Sequence, residues 1–127
     1  MSVSALQYVS DLLTDTIGIP YAFGEWKEKP TEDGRYWVGS TIEPVSLTRE
    51  ESGRQDMTLI LRGYARGGYM QLMTDKESIE RHIARTAILP DGTGIAIFYG
   101  GGESVPTADA EIKSIKINLD IQEWRVN

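Results

Sequence analysis

The sequence predicts an α+β domain, a mostly antiparallel sheet with two helices packed on one face. Three observations predict it. Apolar residues near the N-terminus recur at helical spacing, as Leu6, Val9 and Leu13. A run near the C-terminus alternates strictly, with Ile115, Ile117, Leu119 and Ile121 set against Lys116, Asn118, Asp120 and Gln122. Between them lie short apolar runs broken by Gly, Pro and Asp turns, with a second helical stretch among them. Two helical segments disfavour an all-β sandwich. The 127 residues fit one domain spanning the whole chain.

The first helix is expected over Ser4–Thr16, with Ser2 or Ser4 as its cap and Gly18 and Pro20 ending it. Tyr21–Trp26 is rich in aromatics and reads as a strand. Lys27–Arg35 is polar, holds Pro30 and an Asp33-Gly34 turn, and predicts a hairpin with a long connection. Tyr36–Leu47 reads as a strand with a change of parity, and a bulge or edge position, at Pro44. Thr48–Asp56 is a charged loop. Met57–Tyr64 is apolar on both faces, with Met57, Leu59 and Leu61 opposite Ile60 and Tyr64, as an inner strand is.

Ala65–Tyr69, with Gly67-Gly68, predicts a turn. Thr74-Asp75-Lys76-Glu77 matches a capping box and predicts a second helix from Thr74. Ile79, Ile83 and Ala87 then line one face, and Pro90, Asp91 and Gly92 stop it. Gly94–Tyr99 reads as a short strand, and Gly100 to Thr107 as a flexible loop. In the terminal strand, Trp124 and Val126 fall on the polar parity, which predicts a bulge or a meeting with a partner. The expected order is α-β-β-β-α-β-β, without internal repeats.

Composition narrows the function. Hydrophobic residues make up 40% and charged residues 25%, the ordinary globular range. The net charge of −6, without any basic run, disfavours tight nucleic-acid binding. The absence of cysteine excludes thiol chemistry, disulfides and cysteine-ligated metals. The opening Met1-Ser2-Val3-Ser4 shows no charged and apolar pattern of a signal peptide, and no apolar run nears the roughly 20 residues that span a bilayer.

Catalytic signatures are weak. His82 is the only histidine, and it reads as a partly exposed helix-face residue rather than a base or ligand. The glycine stretches at 63–68, 91–94 and 100–102 lack a Gly-Lys-Ser/Thr ending, and none is expected to follow a strand and open a helix. Arg66 beside Gly67-Gly68 is the one anion candidate, a weak match. Glu25, Glu28, Glu43, Asp56 and Glu103 are among many carboxylates that read as solvated surface. No cofactor or metal is expected, and no catalytic residue is assigned.

The aromatics are more suggestive. Tyr21, Phe23 and Trp26 cluster, with Tyr36 and Trp37 beyond the polar loop, and Tyr64 and Tyr69 flank the double glycine. Most serve a core, but such residues also anchor interfaces. The candidate interface residues are Trp124 and Val126, with Glu50, Glu51 and Arg54 from one charged loop and Glu32, Asp33 and Arg35 from the other.

The short N-terminal helix followed by Ile19-Pro20-Tyr21-Ala22-Phe23-Gly24-Glu25, then Tyr36-Trp37-Val38-Gly39-Ser40, carries a resemblance. So do the Glu50-Glu51-Ser52-Gly53 loop before Met57-Thr58-Leu59-Ile60-Leu61 and the closing strand Ile115 to Trp124. Over nearly its whole length the chain resembles the tail-terminator (tail-completion, or head–tail joining) proteins of long-tailed bacteriophages. The resemblance implies a structural virion subunit made in the host cytoplasm. It would form a homo-oligomeric ring, typically a hexamer, that caps the tail tube and meets the head connector. DNA would pass through without specific binding, helped by repulsion from an acidic ring of roughly −36 in six copies. In such a ring the loops at 27–35, 48–56 and 100–107 are expected at the contacts. A small ligand-binding module, with an apolar pocket under the sheet, and a hydrolase using paired carboxylates are the alternatives.

Overall fold

Alternation sets the centre of the sheet. The computed structural model describes residues 1–26, 34–42, 54–109 and 111–125. Ile115, Ile117, Leu119 and Ile121 are at most 1% exposed, all on one side of a strand β6 that runs from Ile112 to Arg125. Its neighbour β3 spans Gln55–Arg66 and pairs with it antiparallel, Leu59 opposite Leu119 and Leu61 opposite Ile117. As an inner strand should, β3 buries Met57, Leu59 and Leu61 on one face and Ile60 on the other.

The rest of the sheet grows outward from this pair. On one side lie β2 (Tyr36–Ile42), antiparallel to β3, and the short edge strand β1 (Tyr21–Phe23). On the other lie β5 (Thr93–Val105) and the edge strand β4 (Arg85–Ile88), again antiparallel. The six-stranded order is β1-β2-β3-β6-β5-β4. Half of the described residues lie in strands, and the fold is broadly α+β.

The sheet is mixed. β1 runs parallel to β2, with Tyr21 beside Trp37, where a hairpin is the sequence expectation. A two-residue turn forces antiparallel strands, but residues 24–35 give the chain about the dozen residues a parallel return needs.

Helix α1 covers Val3–Asp11, and the Ser2 hydroxyl caps it by accepting from the Ala5 N–H at 3.2 Å. It widens into a π-helical segment, Leu12–Ile17, closed by Gly18 in the left-handed region at φ 86°. Buried Glu123 of β6 ties this end down by accepting from the Ser2 backbone N–H at 3.2 Å and from the Ser2 hydroxyl. Ala5, Val9, Leu12 and Leu13 join the core cluster.

The second helix, α2, covers Tyr69–His82 and so begins five residues before the expected start. Thr74 is no cap: its hydroxyl donates to the Met70 carbonyl at 2.9 Å inside the helix. Leu72, Asp75 and Ile79 form the buried stripe, and Ile83 follows at the C-cap. Asp75 breaks the apolar pattern that would have marked the first turns. Ala87, read as the next helical position, belongs to β4. The turn at Pro90, Asp91 and Gly92 therefore ends a strand rather than a helix.

Two more boundaries move. β3 continues through Arg66, leaving only Gly67-Gly68 between strand and helix. The Gly100–Gly102 run lies inside β5 and is no loop. The register with β6 shifts there, as a bulge does, between Tyr99 and Gly102. A side chain at Gly102 would meet the Tyr99 hydroxyl at 2.7 Å, so close approach explains that glycine. Pro44, Val45 and Leu47, and with them the expected parity change, lie outside the described residues.

Candidate assembly surfaces

Three of the eight predicted interface residues have described side chains. Trp124 lies on the outer face of β6, opposite Gly94 of β5, and is half-buried. Its indole fills the space a Gly94 side chain would take. The register carries it without the expected bulge at that end. Arg35 is drawn inward: its Nε lies 2.9 Å from Asp75 Oδ2, the oxygen that also accepts from Trp37 Nε1 at 2.9 Å. That clasp pins α2 to β2. Trp37 in turn covers Gly63, where a side chain would meet the indole at 2.7 Å. Arg54 forms a two-point pair with Asp56, at 3.0 and 3.2 Å. Glu32, Asp33, Glu50, Glu51 and Val126 lie outside the residues whose side chains are described.

The weak anion candidate is already engaged. Gly67-Gly68 does follow a strand and open a helix, contrary to expectation, with Gly68 at the N-cap. Arg66, however, binds Glu111 at 2.8 Å and Asp109 at 3.1 Å. The Glu111 backbone N–H, and Arg66 beside it, hold the Asp109 carboxyl below its ordinary range. His82 is exposed at the end of α2. No cluster of three potential metal ligands occurs among the described residues. Burial pushes the Tyr21 hydroxyl upward, and its ring covers Gly39.

The outer face of the sheet holds what the sequence reading missed. Successive rows cross it. One reads Ile42, Thr58, Asp120 and Phe98, with Ile42 57% and Phe98 46% exposed. Another reads Val38, Arg62, Lys116 and Glu103. A third begins with Tyr36 and Tyr64, whose rings lie 5.3 Å apart, and Trp26 stacks on Tyr36 at 5.7 Å. Arg62 and Tyr64 form the ridge between two open grooves of about 390 and 350 Å³.

In the middle row, Arg62 and Lys116 are directly opposite across β3 and β6. Like charges in that position repel. Among the described residues neither lies within ion-pair distance of a carboxylate, although Glu103 follows Lys116 in the row. Only the pairing register brings these cations together, so sequence spacing carried no signal.

The N-terminal helix is the electrostatic opposite. The first 26 residues contain no Lys or Arg. Asp11 and Asp15 lie a turn apart and exposed at the C-terminal end of the combined helix, with no basic residue in its last turns. Their described hydrogen bonds are local, from Gln7 Nε2 at 2.8 Å and from the Thr14 hydroxyl at 3.4 Å.

No family model and no curated protein matches this chain. A solved structure is similar over 98% of this chain and 93% of its own, at 13% identity and a TM-score of 0.58. A likeness at that identity speaks for the fold alone. No helix among the described residues is long and apolar enough to cross a membrane.

Proposed function

We propose that the chain is a structural assembly subunit, resembling phage tail-terminator proteins, that forms a ring capping a tail tube and joining it to a head. One observation carries this reading. The sheet has an outer face with Ile42 and Phe98 exposed and with Arg62 and Lys116 side by side, neither in an ion pair among the described residues, the kind of surface that a neighbour covers. In this reading both helices pack on the face that carries Trp37, Leu59 and Leu119. The opposite face is then free for contact. The edge strand β4 offers a second contact, because Thr86 and Ile88 are exposed and no proline or bulge blunts it.

A ring subunit needs two different patches that meet head to tail. The sheet face and the helical layer differ in this way. DNA passing through such a ring meets a net acidic protein, and phosphates slide instead of being gripped. Solution mass measured across concentration, with electron micrographs of the large species, tests the reading. A concentration-dependent closed ring supports it, and a strict monomer at every concentration overturns it.

A further inference from the structure

We infer that the Asp11–Asp15 turn of one copy docks on the Arg62–Lys116 pair of the next, and that this contact closes the head-to-tail assembly. The inference rests on the ring reading and names the two patches it requires.

Each patch is unfavourable in the isolated chain. Arg62 and Lys116 face each other as like charges on adjacent antiparallel strands. Asp11 and Asp15 are like charges four residues apart, which also repel on a helix. Asp15 sits in the last turn of the combined helix, where the macrodipole favours cations over carboxylates. Among the described residues, none of Asp11, Asp15, Arg62 and Lys116 takes part in an ion pair within one chain.

A second copy relieves both. Two carboxylates a helical turn apart, roughly 5–6 Å between their β-carbons, meet two cations whose β-carbons are about 4.5–5.5 Å apart. The spacings match. Tyr64, beside Arg62 on the same face, and Tyr36 and Trp26 beyond it wall the contact and limit screening by salt. The patches are different surfaces of one chain, so the contact is heterologous and propagates until the ring closes.

Charge reversal tests the pairing. Variant one carries Arg62→Asp and Lys116→Asp, and variant two carries Asp11→Lys and Asp15→Lys. All four side chains are exposed or half-buried, and circular dichroism with thermal melting checks that each variant keeps the fold. Each alone sets like charges against like, and the concentration for half-assembly rises at least tenfold. Mixed in equal amounts, they pair reversed sheet with reversed helix and native sheet with native helix, and assembly returns. Lys76→Glu with Arg81→Glu, both on α2, changes the charge as much as variant one, away from either patch and from β4, and leaves assembly within about twofold. A wild-type ring that survives in variant one, or variants that stay apart when mixed, overturns this inference and leaves the ring reading standing. A monomeric wild type overturns both.

Discussion

On one side of β6, Ile115, Ile117, Leu119 and Ile121 are each sealed from water, facing Leu59 and Leu61 of β3. On the other side the same two strands present Thr58, Arg62, Lys116 and Asp120, with Arg62 and Lys116 in repulsion. These are alternate residues of the same strands, under the same backbone hydrogen bonds. The first set satisfies itself within the chain. The second leaves charge uncompensated among the described residues, which suits a surface completed by a neighbour. Under the proposed assembly this contrast separates stability from contact, and it can be broken at several points.

The largest effect comes from the sealed side. Leu119→Ala removes a fully buried side chain from the central strand and costs about 3 kcal/mol of unfolding free energy. Its exposed neighbour on the same strand, Asp120→Ala, stays within about 0.5 kcal/mol. Urea unfolding of both variants checks this, and equal losses would erase the distinction between the faces.

A smaller effect belongs to the clasp that fixes α2. Asp75→Ala strands the Trp37 indole N–H and removes the carboxylate 2.9 Å from Arg35 Nε. The expected loss is about 2 kcal/mol, close to that of any buried donor left unmade. Asp75→Asn keeps an acceptor for Trp37 and recovers part of it. Denaturant midpoints of the two variants should differ in that order.

The smallest is a pH effect. Burial raises the Tyr21 hydroxyl above its ordinary value of 10.0. Above that pH the unfolded chain releases the proton while the folded chain keeps it. The unfolded state then binds fewer protons, so stability falls as pH rises. Tyr21→Phe removes this component, and its unfolding free energy declines less than the wild type's between about pH 9 and 11.

How much of this was legible follows from where the information sits. The inner face of β6 was readable because its alternation is unbroken, and β3 because both its parities are apolar. Helix α2 was misread at both ends for a physical reason. Asp75 occupies its buried stripe as the partner of Trp37, hiding the first turns, and Ala87 extends the period by coincidence into β4. The glycines at 100–102 resemble a loop in composition, yet a bulge in β5 uses them for close approach. The parallel pairing of β1 was hidden because aromatic runs do not encode direction. At the surface, the polar parity of Trp124 was legible, and the register sets it opposite Gly94, whose missing side chain leaves room for the indole. The Arg62–Lys116 pair was illegible, because only register places two distant residues side by side. The absence of basic residues before position 27 was legible, and it acquires meaning only beside that pair.

The central claim is that the outer face of the sheet is where the chain meets its neighbour. Hydroxyl-radical footprinting of the wild type, dilute and then concentrated, tests this most directly. Tyr64 and Tyr36 beside Arg62 should become several-fold less reactive as assembly proceeds. Equal reactivity of both tyrosines in the monomer and in the assembled species would contradict it.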